Sequence, residues 1–135
     1  MTTTHGTMDQ AARQSMTVRG WLRLEGAAVF VAGLATYGWL GGPWLLVIPL
    51  LLLPDISAIG YLRDARVGAF TYNVVHNWAF GLGLFAIGLA TGSTPIEILG
   101  TVAIAHTGMD RAVGYGLKLP TSFQDTHLGR IGKDK

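Results

Sequence analysis

The run PWLLVIPLLLLPDISAIGYL, residues 43–62, decides how the chain is read: 20 residues carry a single charge, Asp55, and most of the rest are large and apolar. At 1.5 Å per residue a helix of that length covers a hydrocarbon core of about 30 Å, so the run predicts a membrane crossing. Pro49 and Pro54 fall inside it and are expected to kink the helix, freeing carbonyls near Leu45 and Leu50 for neighbouring groups.

Three comparable stretches flank this one, at residues 20–40, 68–90 and 95–113. Their connections, Gly41-Gly42, 63–67 and 91–94, are short, which makes sequential helices antiparallel neighbours. Pro43 and Pro95 suit first helical positions, and Thr94 with Glu97 has the spacing of a capping box. Gly81, Gly83 and Gly88 predict close helix contact in the third stretch. The expected fold is all-α: a four-helix transmembrane bundle over residues 20–113. A flexible polar arm, 1–19, precedes it, and a polar cytoplasmic tail, 114–135, is expected to fold back over the site.

Composition agrees with membrane insertion. Charged residues make up 13% of the chain against about 25% in soluble domains, and from Leu24 to Arg111 there are three basic and five acidic residues. The first apolar stretch starts near Trp21 and is too long for a cleaved signal peptide. A net charge of +2, with no basic run interleaved with aromatics, argues against a nucleic-acid partner. The absence of cysteine excludes disulfides and thiolate chemistry and leaves His and carboxylate chemistry open.

Four crossings put both termini and the 63–67 loop on one face, and that face holds all ten Lys and Arg residues: Arg13, Arg19, Arg23, Arg63, Arg66, Arg111, Lys118, Arg130, Lys133 and Lys135. The positive-inside rule then predicts a multi-pass protein of the inner (cytoplasmic) membrane with both termini cytoplasmic. Trp21, Trp39, Trp44 and Trp78 lie toward span ends, where they suit interfacial anchoring.

Ionisable groups inside spans are costly, which makes each a candidate for function. Glu25, Asp55, His76, His106 and Asp110 all fall roughly 5 to 12 Å inside the cytoplasmic boundary, counting 1.5 Å per residue along alternating helices. Tyr72 shares a helix face with His76, four residues on, beside Asn73, and His106 and Asp110 repeat that spacing. The set predicts a cytoplasm-facing site competent to bind zinc, iron or manganese through His76, His106, Asp110, Glu25 and Asp55, with Asp125 and His127 of the tail able to complete a shell or form a lid. Tyr72 joins these five as a catalytic candidate. No HExxH or paired ExxH element is present. The competing structural reading pairs Glu25 with Arg19 or Arg23, Asp55 with Arg63, and Asp110 with Arg111 or Arg66. Glu97 is explained by its cap. Arg63, Arg66, Arg111 and Lys118 surround the expected mouth, as positive-inside placement also predicts, and His5 has no partner nearby in sequence.

Several motifs also carry a family likeness. Trp21-Leu22-Arg23-Leu24-Glu25-Gly26, Pro54-Asp55-Ile56-Ser57 with Gly60-Tyr61, Tyr72-Asn73 with His76, Ala105-His106 with Asp110-Arg111-Ala112, Gly114-Tyr115-Gly116-Leu117-Lys118 and Asp125-Thr126-His127-Leu128-Gly129 resemble the small bacterial integral-membrane family catalogued as domain of unknown function 4260. The likeness spans Trp21 to Ile131 and implies a four-span membrane protein, with no agreed activity.

The expected function is that of a metal-dependent hydrolase acting on a lipid or other membrane-soluble substrate. The alternatives are a metal-free acid–base isomerase or cyclase of an isoprenoid-like molecule, built on crowded carboxylates, and a non-enzymatic accessory subunit or an oligomeric ion or proton carrier.

Overall fold

The computed structural model describes residues 3–132, with side chains from residue 6; the side chain of His5, and Lys133 and Lys135, lie outside the described residues. In chain order the helices are α1, Thr3–Trp39; α2, Val47–Leu52; α3, Ala65–Val75; α4, Trp78–Thr91; and α5, Thr94–Val113. A 3₁₀ turn, Trp44–Leu46, precedes α2, and a 3₁₀ segment, Leu53–Leu62, follows it. Among the described residues the fold is thus all-α, five helices packed together, with one pair of two-residue strands, β1 (Asp125–Thr126) and β2 (Gly129–Arg130), in the tail.

Helix α5 lies at the centre, packed on α1 along one side and α4 along the other. Small residues set both approaches. A Cβ on Gly26 would sit 2.8 Å from the Gly108 carbonyl, and one on Gly33 would sit 2.7 Å from the Ala105 Cβ. On the other side, a Cβ on Gly81 would lie 2.9 Å from the Ile104 backbone nitrogen. Backbones this close gain dispersion contacts that larger side chains would forbid. Of the three glycines expected to serve in this way, Gly81 and Gly88 do so, whereas Gly83 faces open space.

Four expectations are corrected. The helix begins at Thr3, so the described part of the polar arm is helical and continuous with the first apolar stretch. The third stretch is broken: α3 stops with His76 as its C-cap, α4 starts with Asn77 as its N-cap, and the two helices meet at 41°. Asn77 accepts from the Phe80 N–H at 3.1 Å, a capping bond that makes the break stable without proline. Thr94 is the first residue of α5 rather than its cap; Ser93 holds the cap position and its carbonyl takes the Glu97 N–H at 3.1 Å, so no Thr94–Glu97 capping box forms. Pro49 and Pro54 shorten α2 to six residues instead of kinking one long helix.

By length and composition one segment, Trp44–Leu62, is long and apolar enough to cross a membrane, or two if the bent α3–α4 pair counts as one span. The other two expected spans do not meet that standard, because α1 carries its charges into the stretch and α5 is diluted by Thr101, His106, Thr107, Asp110 and Arg111. Those α5 residues are all buried. Within Trp44–Leu62 only Pro54 is buried, while Leu45 and Leu62 are 90% and 86% exposed, so the segment presents many large apolar side chains outward.

Candidate metal centre

Pro54 prepares one side of the site. Leu53 gives its N–H to the Leu50 carbonyl, but Pro54 has no N–H to give Leu51. The Leu51 carbonyl instead accepts from Nδ1 of His106, 55 residues away, at 2.5 Å. The freed carbonyl expected at Leu50 falls at Leu51 because the 3₁₀ pattern bonds three residues back rather than four.

The α3 break prepares the other side. As the C-cap of α3, His76 turns its Nδ1 onto the Tyr72 carbonyl at 2.9 Å. Its ring stacks on the Tyr72 ring with centroids 3.5 Å apart and planes 9° from parallel. Arg111 ties down this turn, donating from Nη2 to the His76 carbonyl at 3.0 Å and from Nη1 to the Tyr115 carbonyl at 2.7 Å.

Both imidazoles are fully buried, and their Nε2 atoms face each other at 3.0 Å. A carbonyl can only accept, which favours the proton on each Nδ1 in the neutral ring and a lone pair on each Nε2, although the Ser57 hydroxyl, 3.4 Å from His76 Nδ1, can either donate or accept. Two lone pairs at that distance repel unless a cation lies between them. The carboxylates complete the arrangement. Asp55 Oδ1 is 3.4 Å from both Nε2 atoms, and Asp110 Oδ2 is 3.7 Å from that of His106 and 4.0 Å from that of His76. Ligand atoms about 2.0 to 2.1 Å from a tetrahedral metal are separated by about 3.3 Å, close to the spacing here. Asp55, His76 and His106 form the group able to hold an ion, and Asp110 stands beside it with the Tyr72 hydroxyl donating to Oδ2 at 2.5 Å. Fixing a ligand histidine through its other nitrogen and a carboxylate through a phenol is the usual outer support of a metal site.

These motifs lie within the part of the chain that matches a family model, residues 19–131, described as a domain of unknown function, DUF4260. The chain belongs to the DUF4260 family. No curated protein and no solved structure matches it.

Not every candidate of this DUF4260 chain reaches the centre. Glu25 is exposed on the outside of α1 and makes none of the described ion pairs; Arg23 donates instead to the Ala112 carbonyl at 2.9 Å. Asp125 is held by Thr121 and Arg130, each at 2.7 Å, bonds that keep its carboxyl below the usual range, that from Thr121 foremost. His127 accepts from the Leu117 N–H through Nδ1 at 2.8 Å, and burial, with the Arg111 charge nearby, holds its pKa below the ordinary value. The alternative ion pairs of Asp55 with Arg63 and of Asp110 with Arg111 or Arg66 are not among those formed: Arg63 lies 3.8 Å from Asp64.

The tail does reach the site, through Lys118, which was expected at its mouth, and not through Asp125 or His127. Asn73 and Lys118 exchange two bonds, Nδ2 to the Lys118 carbonyl at 2.9 Å and the Lys118 N–H to Oδ1 at 2.7 Å, which pin the tail to α3. Tyr115, Lys118 and Phe123 line an open cavity of about 490 Å³ together with Asp55, Tyr72, His106 and Asp110. Tyr115, present in a family motif, and Phe123 receive no site role from the sequence, because both lie past the last helix, where no helical spacing offers a signal.

Proposed function

We propose that this chain is a small integral membrane metalloenzyme, a divalent-metal-dependent hydrolase of a membrane-soluble substrate. The observation that carries the reading is the pair of Nε2 atoms 3.0 Å apart, both favoured as acceptors by the carbonyls at their Nδ1 atoms, with Asp55 Oδ1 at 3.4 Å from each. A divalent ion there would supply Lewis acidity toward an ester or phosphoester oxygen. Asp110 lines the same cavity, with its Oδ2 accepting from the Tyr72 hydroxyl, and in this reading it takes the proton of an attacking water. One proton shared by the two imidazoles would also relieve the 3.0 Å contact, and this supports a second, metal-free acid–base reading. Elemental analysis of protein purified without chelator separates the two: the first expects about one ion per chain, and protein free of metal even after incubation with zinc, iron or manganese overturns it.

The membrane part of the proposal is four crossings with both termini cytoplasmic. It is supported by the exposed apolar face of Trp44–Leu62 and by contacts that gather the basic segments at one end: Arg23 reaches the end of α5, and the start of the tail binds α3. Reporter fusions after Lys135 and within 63–67 are expected to read cytoplasmic and one at Gly41-Gly42 external. An external C-terminus would overturn this topology.

A further inference from the structure

Lys118 is 3% exposed, yet its ammonium meets one hydrogen-bond acceptor, the Phe123 carbonyl at 2.8 Å, and none of the described ion pairs includes it. An ammonium has three donors. Three ring faces lie around it, Phe123 at 3.7 Å, Tyr72 at 4.9 Å and Tyr115 at 5.8 Å from Nζ to the ring centroids, and the Asp110 and Asp55 carboxylates across the cavity act on it from beyond ion-pair distance. Rings hold the cation in place without using its protons. Lys118 is part of the wall of the 490 Å³ cavity, the same cavity that Asp55, His106 and Asp110 line.

The charge balance of that cavity depends on the metal. Without an ion, the carboxylates of Asp55 and Asp110 are matched by Lys118 and Arg111. With a divalent ion the carboxylates are already matched, and the two cations remain uncompensated, since Arg111 spends its donors on neutral carbonyls. A phosphate monoester carries about 1.5 to 2 negative charges near neutral pH and presents three acceptor oxygens, which suits this excess and the free Lys118 donors.

We propose that the cavity binds a dianionic phosphoryl group, that of a phosphate monoester or of inorganic phosphate, with the Lys118 ammonium holding the phosphoryl oxygens beside the metal centre; the inference rests on the metal-dependent reading above. The group can be a lipid headgroup or free phosphate, and the ligand chemistry is shared. Lys118 is then a binding residue for substrate, distinct from the ligands of the ion.

The test uses full-length protein loaded with metal, in detergent for titration with inorganic phosphate and in nanodiscs of phosphatidylcholine with or without phosphatidic acid for the lipid arm. Metal content and melting temperature are measured on each sample. Wild type is expected to bind the phosphate group in at least one arm. K118Q is expected to weaken that binding about tenfold or more at unchanged metal content, and K118R, which keeps the charge, is expected to restore most of it. Binding in the lipid arm alone identifies a headgroup, and binding of inorganic phosphate identifies a site open to the free ion. If metal-loaded wild type binds neither probe, or if folded K118Q binds as tightly as wild type, the proposal is overturned while the metal site stands. If wild type takes up no metal and binds neither probe, both readings fail together.

Discussion

His76→Gln and His106→Gln are each expected to abolish stoichiometric metal binding while leaving the protein folded. Each substitution removes one of the two Nε2 lone pairs that meet at 3.0 Å, and an amide is a poor replacement for imidazole toward zinc, iron or manganese. Changes to groups that merely support a ligand cost about 10- to 100-fold in affinity, so loss of a ligand itself should exceed that range. The fold should persist because glutamine still offers an N–H to the Leu51 or Tyr72 carbonyl, and polar contacts between membrane helices average about 0.6 kcal/mol. Metal content and thermal stability in detergent, read side by side, make the check. Variants that keep their metal at wild-type level would show that the histidines serve packing and not ligation.

Gly108→Ala is expected to cost about 2 to 3 kcal/mol, although it adds only a methyl group to a helix, where alanine is normally favoured over glycine. The new Cβ would lie 2.7 Å from the Phe30 backbone nitrogen and 2.8 Å from the Gly26 carbonyl, so α1 and α5 would have to separate. Neither obstacle is a flexible side chain. Gly83→Ala is the counterpart: nothing lies within 4 Å of its Cβ position, and α4 should gain about 0.5 to 1 kcal/mol. Opposite shifts in melting temperature for the two variants are the expected result, and a stable Gly108→Ala protein would contradict the close approach of α1 to α5.

How much of the site could be read from the sequence follows from what periodicity measures. Counting residues from the ends of apolar stretches gives depth, and depth alone brought Asp55, His76, His106 and Asp110 to one level, where the structure joins them. Glu25 shares that depth and fails on direction. Gly26 is the residue whose bare backbone meets α5, and successive residues on a helix point about 100° apart, so Glu25 faces outward. The break between His76 and Asn77 has no proline to announce it; a capping asparagine followed by an apolar run is its one local sign. Lys118 lies 45 residues from Asn73, and only the tertiary fold reveals that the Lys118 backbone and the Asn73 side chain exchange hydrogen bonds. The five-helix arrangement was half legible: apolar runs locate the helices, whereas the shortening of α2 depends on what two prolines do to the bonds around them.

The 3₁₀ segment Leu53–Leu62 has a consequence for how so many neighbours share ten residues. With three residues per turn, side chains at i and i+3 eclipse, so the segment is a three-edged column and not a round rod. One edge, Leu53, Ile56, Ile59 and Leu62, is 46%, 63%, 64% and 86% exposed and presents apolar surface outward. The second, Pro54, Ser57 and Gly60, meets α3 and a separate apolar pocket of about 280 Å³ lined also by Val75 and Phe80. The third, Asp55, Ala58 and Tyr61, faces the cavity beside the candidate metal centre and the tail, where Tyr61 meets the Phe123 ring edge-on at 5.3 Å. A continuous α-helix would drift about 60° for every three residues and smear these edges into one another. Inserting or deleting a single residue would instead turn the column by one whole edge, exchanging an apolar face for the one that carries Asp55.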